Sequence, residues 1–222
     1  MNQAQWTAVD QYINDLLIPS DPVLEAALQA AEAAKLPSAQ VAPNQGKLLA
    51  ILAQSIKARS ILEIGTLGGY STIWLARALP PDGKLITLEV DPKHAEVARA
   101  NLIRAEVDKL VEVRVGPALD TLPKIAAEGH APFDFVFIDA DKANNTNYFN
   151  WALKLTHLGS VIIVDNVIRN GEVVDANSTD PSVRGVRQFN TALAAESRVM
   201  ATQLQTVGSK GYDGFAMALV IG

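Results

Sequence analysis

The hydrophobic pattern of this chain changes character near residue 59. Before that point, residues 3–17 and 21–36 are rich in Ala, Leu, Glu and Gln, and both stretches predict helices. Ser20 or Asp21 caps the second helix, Pro22 occupies its first turn, and Pro37 stops it. A third helix is predicted over residues 43–58. From residue 60 onwards, short β-branched runs alternate with helical stretches. The runs cover residues 60–65, 84–90, 111–116, 134–140 and 160–166. Several are nearly continuous in apolar residues, the pattern of parallel strands buried on both faces.

Helical segments of crossover length lie between these runs, for example residues 92–105 with Asp91 as N-cap. Five β–α units in series predict an α/β fold with a doubly wound parallel sheet. The end of the chain differs. A helix over 183–195 is followed by strands over 199–207 and 214–221, joined by the Gly-rich segment 208–213. That arrangement predicts an antiparallel pair at one edge of the sheet. The expectation is one domain over 1–222, with residues 1–58 as a helical extension and 59–222 as the sheet.

Composition narrows the chemistry. The 222 residues, 49% of them apolar, suffice for a two-sided core. No run approaches the roughly 18 apolar residues of a membrane span, so no membrane partner is expected. The opening MNQAQWTAVD lacks a secretory pattern. Without cysteine there are no disulfides, thiolate metal sites or cysteine nucleophiles, and a cytoplasmic location is the default expectation. A net charge of -5, with 19 basic residues scattered among 24 acidic ones, argues against a nucleic-acid partner. His94, His130 and His157 lack metal-binding spacing and read as surface or packing residues.

In open α/β sheets, ligands bind at the carboxyl ends of the strands. The first strand runs into Glu63-Ile64-Gly65-Thr66-Leu67-Gly68-Gly69-Tyr70-Ser71. Its glycines let backbone approach a ligand, and the next helix offers free N–H groups to an anion. The spacing is not the G-x-G-x-x-G of dinucleotide sites, since Leu67 occupies the second position. A tight turn without a ligand is the competing reading. Glu89, at the end of the second strand, is placed to accept ribose hydroxyls, whereas Asp91 reads better as a solvated helix start. Val115-Gly116-Pro117-Ala118 is a small-residue turn suited to an adenine edge.

The fourth strand ends in Asp139-Ala140-Asp141-Lys142 and the fifth in Asp165-Asn166. Two carboxylates and an amide oxygen form a hard donor set for Mg²⁺, Mn²⁺ or Ca²⁺, if the strands are neighbours. Alternatively, Asp139 and Asp165 only cap the helices after their strands. Asp141 adds outer charge or sits in solvent. Lys142 is either a base for a phenolic proton or a solvent-facing side chain.

Taken together, ILEIGTLGGYSTIWLA, LEVDP, VGPALDTL, FIDADKANN and VIIVDNVIRNG resemble the cation-dependent O-methyltransferase family, which includes catechol and caffeoyl-coenzyme A O-methyltransferases. The likeness runs from about Val41 to the C-terminus. It implies the Rossmann-like seven-stranded methyltransferase sheet, S-adenosylmethionine as methyl donor, a divalent cation (Mg²⁺ first) and a small phenolic acceptor. It also implies a homodimer. Asp139, Asp165 and Asn166 are the implied metal ligands, and Lys142 the implied proton acceptor. The methionine part of the donor is implied near Val41, Glu63, Gly65, Tyr70 and Ser71, with Thr66 in the same turn. The ribose falls to Glu89, the adenine to Ala118, and the donor's amino group to Asp139.

Two features depart from the resemblance. Residues 208–214 carry extra residues, so Tyr212 either reaches a substrate pocket or covers it. Arg169 stands where plant relatives often have an aromatic, and either favours an acidic substrate or faces water. The competing functions are a nucleotide-dependent oxidoreductase, disfavoured by the failed glycine spacing, and a non-catalytic cofactor-binding protein, disfavoured by the complete set Asp139, Lys142, Asp165 and Asn166.

Overall fold

A computed structural model describes residues 2–222 of the protein. Three helices come first: α1 (Gln3–Leu17), α2 (Pro22–Ala33) and α3 (Pro43–Ser55). Asp21 caps α2, accepting from the N–H groups of Val23 and Leu24, with Pro22 in the first turn. Both α2 and α3 end three residues before the predicted limits. Lys35 and Lys57 adopt φ of 57° and 55°, the left-handed conformation that closes a helix.

The strands β1 (Ser60–Ile64), β2 (Lys84–Glu89), β3 (Val111–Val115), β4 (Phe133–Ile138) and β5 (Thr156–Asp165) alternate with α4 (Tyr70–Arg77), α5 (Pro92–Arg104), α6 (Ala118–Ala127) and α7 (Asn145–Lys154). Helix α8 (Pro181–Ala195) precedes β6 (Val199–Gly208) and β7 (Gly211–Val220). The seven strands lie in the order β3-β2-β1-β4-β5-β7-β6. Those from β3 to β5 are parallel, and β7 runs antiparallel to both β5 and β6. Strand order therefore reverses beside β1, which opens a crevice at the carboxyl ends of β1 and β4.

Alternation along each strand divides the apolar side chains between two cores. Leu62, Ile64, Val136, Ile138, Ile162 and Val164 pack beneath α6, α7 and α8, against Leu122, Phe149 and Phe189. Ile61, Phe135, Phe137, Val161 and Ile163 face α3, α4 and α5, against Leu49, Ile73 and Leu102. Burial on both faces is why these strands read as continuous apolar runs.

Two strand boundaries differ most from expectation. β5 starts at Thr156, which pairs with Phe133 before a register shift, so the exposed His157-Leu158-Gly159 hides the extension from an apolar pattern. The segment expected as a connection over 208–213 is mostly strand. Thr206 pairs with Asp213, Val207 with Tyr212 and Gly208 with Gly211, leaving a two-residue tip at Ser209 and Lys210. β6 is the sheet edge and largely exposed, so its polar residues carry no signal of where pairing stops.

Candidate functional site

A cavity of about 390 Å³ lies at the carboxyl ends of β1, β2, β3 and β4. Val41, Gly65, Thr66, Tyr70, Ser71, Glu89, Ala118 and Asp139 all line it. The turn after β1 is shaped by sterics. Gly65 has φ of 105°, and a Cβ there would stand 2.1 Å from the Asp139 carbonyl oxygen. Only glycine lets β1 and β4 close up at this point.

Glu89 is buried at the cavity wall, where its Oε2 accepts the Leu67 N–H at 2.7 Å and its Oε1 the Asp91 N–H at 2.9 Å. The glycine turn and the ribose candidate are thus tied to each other. Asp91 instead caps α5, accepting from the backbone N–H groups of Lys93 and His94. The Asp141 carboxylate, expected as outer charge or a solvent group, accepts from the Tyr148 hydroxyl and from Asn144 Nδ2. All three residues belong to the cavity wall. Burial and the neighbouring Asp141 carboxylate push the Tyr148 phenol well above its ordinary range.

Glu63 stands apart from the lining residues. It is wholly buried behind the turn and does not line the cavity. Its carboxyl group accepts from Ser71 Oγ and Thr87 Oγ1, each at 2.7 Å, and from the Thr72 hydroxyl. Burial outweighs these bonds and pushes its pKa up to about 7. Its place in the fold is to anchor the first turn of α4, with Ser71 carrying that anchor to the cavity.

A second cavity, of about 450 Å³, lies between the N-terminal helices and the β6–β7 hairpin. Asp165 and Asn166 line it, with Asp10, Asn44, Gln45, Asn170, Lys210, Tyr212 and Phe215 among its other walls. β4 and β5 are adjacent, and the pairing of Ile138 with Val164 sets Asp139 and Asp165 side by side at the next step. Asp139 faces the first cavity while Asp165 faces the second. Burial, with the Asp139 charge next, pushes the Asp165 carboxyl up to about 7.

Neither aspartate caps a helix. Asp165 Oδ2 accepts Gln45 Nε2 at 2.7 Å, and its Oδ1 accepts the Asn166 N–H at 2.8 Å. Asn166 has φ of 56°, a left-handed conformation that asparagine tolerates better than most residues. Asp139 Oδ1 accepts Lys142 Nζ at 2.7 Å. Lys142 is buried, which removes the solvent-facing reading. Helix α8 packs hard against this segment, since a Cβ on Gly185 would lie 2.3 Å from the Lys142 carbonyl oxygen.

Asp139, Lys142 and Asp165 therefore form one electrostatic group, with Asn166 next to it on the second cavity's wall. Among the described residues, no three His, Cys, Asp or Glu side chains form a group able to hold a metal. The histidines pair with acids instead, His157 Nε2 with Asp134 Oδ1 at 2.8 Å and His130 Nε2 with Glu128 at 3.1 Å. Two carboxylates at adjacent strand ends, with the Asn166 amide following Asp165 in the chain, are donors whose chemistry suits a hard divalent cation.

Gln45, Asp10 and Tyr148 were missed by sequence reasoning. Gln45 and Asp10 reach the second cavity from helices 120 and 34 residues away from their partners Asp165 and Asn44. No local pattern marks them. Tyr148 lies two helical turns beyond Asp141, so its spacing was an available signal. Tyr212 does reach the second cavity, its hydroxyl fixed by Gln205 on the paired strand. Arg169 lines neither cavity; its guanidinium lies 3.9 Å from Asp213, whose Oδ1 holds the N–H groups of Ile168 and Arg169.

A mostly parallel seven-stranded sheet with an antiparallel β7, and a glycine turn opposite an acidic β2 terminus, define a Rossmann-like class I methyltransferase fold. The chain belongs to the O-methyltransferase family, whose model matches residues 18–219. It is 54% identical to a catechol O-methyltransferase of Niastella koreensis over 220 residues, covering 99% of this chain and 100% of that one. Two solved structures align closely. One is the O-methyltransferase of Bacillus cereus in complex with SAH (TM-score 0.97, 60% identity, 99% of this chain and 100% of that chain). The other is TomG of Streptomyces achromogenes, involved in tomaymycin synthesis, in complex with SAM (TM-score 0.97, 53% identity, 100% of both chains). Among the described residues, no helix is long and apolar enough to cross a membrane.

Proposed function

We propose that the protein moves the methyl group of S-adenosylmethionine onto a hydroxyl of a catechol-type or phenylpropanoid/flavonoid small molecule, assisted by a divalent cation. The observation that carries this reading is that two cavities reach neighbouring strand tips, one at the end of β4 and the other at the end of β5. Asp139 lines the cavity taken as the cofactor's, with Lys142 buried behind it and bonded to its carboxylate, while Asp165 and Asn166 line the cavity taken as the acceptor's. The SAH and SAM complexes of the two structural relatives support the donor, and the catechol enzyme of N. koreensis supports the acceptor class.

In this reading Glu89, already oriented by two backbone N–H groups, accepts the ribose hydroxyls. The turn over Gly65 and Thr66 and the start of α4 at Tyr70 and Ser71 hold the methionine portion with Val41, while Ala118 borders the adenine. Glu63 acts from behind, fixing Ser71. S-adenosylmethionine supplies a methyl group already activated on a sulfonium. Asp139, Asp165 and Asn166 would hold the cation, Mg²⁺ first among Mg²⁺, Mn²⁺ and Ca²⁺, and when bound it supplies a Lewis acid that lowers a phenol's pKa from near 10.

Lys142 takes the hydroxyl proton, and Asp139 stabilises the ammonium that results. The oxygen then bonds to the methyl carbon as the carbon–sulfur bond breaks. Gln45 keeps Asp165 in one orientation, and the cavity walls align oxygen, carbon and sulfur. We also take the chain as one domain and as a cytoplasmic homodimer. Exposed Tyr12, Leu16, Met200 and Leu204 on α1 and β6 support a face for a second copy.

The test is transfer from methyl-labelled S-adenosylmethionine to a panel of catechols, caffeoyl esters and flavonoids, with Mg²⁺ and with excess chelator. Labelled ether formed only with Mg²⁺ is the expected result. Undiminished transfer in chelator removes the cation from the reading. Failure with every hydroxyl acceptor removes the acceptor class, and tight NAD(H) binding in place of S-adenosylmethionine would replace the reaction type.

A further inference from the structure

The second cavity has an uneven distribution of charge. Four charged side chains line it: Asp10, Asp165, Lys210 and Asp213. The three carboxylates are already supplied with donors by the protein. Asp10 accepts Asn44 Nδ2 at 3.0 Å and the Ser209 N–H at 2.7 Å. Asp165 accepts Gln45 and the Asn166 N–H. Asp213 Oδ1 accepts the N–H groups of Ile168, Arg169 and Gly214.

Lys210 differs from these three. It stands at the tip of the β6–β7 hairpin, and its Nζ reaches Ser38, at 3.2 Å from the carbonyl oxygen and 3.4 Å from Oγ. Both partners are neutral. Among the described residues Lys210 forms no ion pair. Lys210 is exposed to solvent, and partial desolvation with no counter-ion lowers its pKa from the ordinary lysine value. Arg169, the residue whose sequence position suggested an acidic substrate, is turned towards Asp213 and off the cavity wall.

We infer that this cavity selects acceptors bearing an anionic substituent, such as a carboxylate on a catechol ring, and that Lys210 is the residue that reads it. The inference rests on the catechol-type reading above and deepens it. An acceptor of this kind would present its hydroxyls to the Asp165 and Asn166 end and its carboxylate to the hairpin tip. The neutral Ser38 contacts are easily exchanged for a charge-assisted bond. A cationic catechol meets Lys210 unfavourably at the same rim.

The experiment compares kcat/KM for a dihydroxybenzoate and for the matching dihydroxybenzamide, which is close in shape and uncharged. The two acceptors differ in intrinsic reactivity, but that difference is common to parent and variants. Their ratio within one protein is also independent of the fraction correctly folded. Lys210→Gln should lower the benzoate-to-benzamide ratio about tenfold relative to the parent, the scale of one charge-assisted hydrogen bond at a partly exposed rim. The loss should fall in KM more than in kcat. Lys210→Arg should keep the parent ratio, and raising ionic strength should erode it. An unchanged ratio in Lys210→Gln overturns the inference while leaving the methyl-transfer reading intact. Methylation of neither acceptor by the parent overturns the catechol reading itself, and the inference with it.

Discussion

The two cavities, one lined by Asp139 and the other by its neighbour Asp165, are built differently. The first is walled mainly by the turns at the ends of consecutive strands: Gly65 to Ser71 after β1, Glu89 after β2, Gly116 to Leu119 after β3, and Asp139 to Asp141 after β4. Backbone geometry and short-range bonds shape it. The second is assembled from α1, the start of α3, the end of β5 and the β6–β7 hairpin. Its residues come from both ends of the chain, and side-chain contacts such as Asp10 with Asn44 and Gln45 with Asp165 join them. A wall of turns suits one invariant ligand, while a wall of side chains from separate segments can change its preference by single substitutions.

This contrast can be broken first at the strand tips between the cavities. Lys142→Ala should lower turnover about two to four orders of magnitude, as expected for loss of a positioned base. The loss should be largest at pH values where the acceptor is still protonated. A pH–rate profile that overlays the parent's would take Lys142 out of the chemistry.

Gly65→Ala probes the backbone-built side. The new Cβ would meet the Asp139 carbonyl oxygen at 2.1 Å, and the left-handed φ adds strain of about 1–3 kcal/mol. Thermal unfolding should shift to clearly lower temperature, and binding of S-adenosylmethionine by calorimetry should weaken in parallel. Parent-like stability would mean that β1 and β4 can separate at this point at little cost.

Gln45→Leu probes the side-chain-built side. It deletes the donor to Asp165 Oδ2 at nearly constant size. Mn²⁺ affinity, read by electron paramagnetic resonance, should fall about 10–100-fold, the usual effect of removing a partner of a metal ligand. Binding of S-adenosylmethionine in the absence of metal should stay near the parent's. Equal losses in both would blur the distinction between the two cavities.

The effect confined to one pH window concerns Glu63. Its folded pKa near 7 lies above the ordinary carboxylate value of 4.5, so the native state binds more protons than the unfolded chain between those values. Glu63 therefore contributes a stability penalty that is absent below about pH 4.5 and complete above about pH 7. Glu63→Gln should flatten the fall in melting temperature across that window, by at most about 3 kcal/mol in free energy. An unchanged slope would show that Ser71, Thr72 and Thr87 hold an ordinary carboxylate.

Much of the first cavity is legible in the sequence. Strands buried on both faces announce themselves as apolar runs, and the residues just after each run fall at the ligand-binding end of the sheet. Gly65, Glu89, Ala118 and Asp139 are found in this way, and they share the cavity wall. Glu63 shows the limit. Its position along the strand is legible, but alternation places its side chain behind the turn, among hydroxyls of α4 and β2. The start of β5 and the tip of the hairpin escape sequence reading because exposed strands carry no hydrophobic signal of their ends.

The sequence by itself determined the order of α and β units, the glycine turn, the acidic ends of β2, β4 and β5, and membership of the methyltransferase class. These depend on local periodicity and on residues close to one another along the chain. Only the tertiary structure decided that Lys142 is buried against Asp139, that Gln45 holds Asp165, and that Lys210 rather than Arg169 lines the second cavity. Each of the latter two is set by contacts with residues far away in the chain, and which way a side chain turns depends on neighbours that no local pattern names.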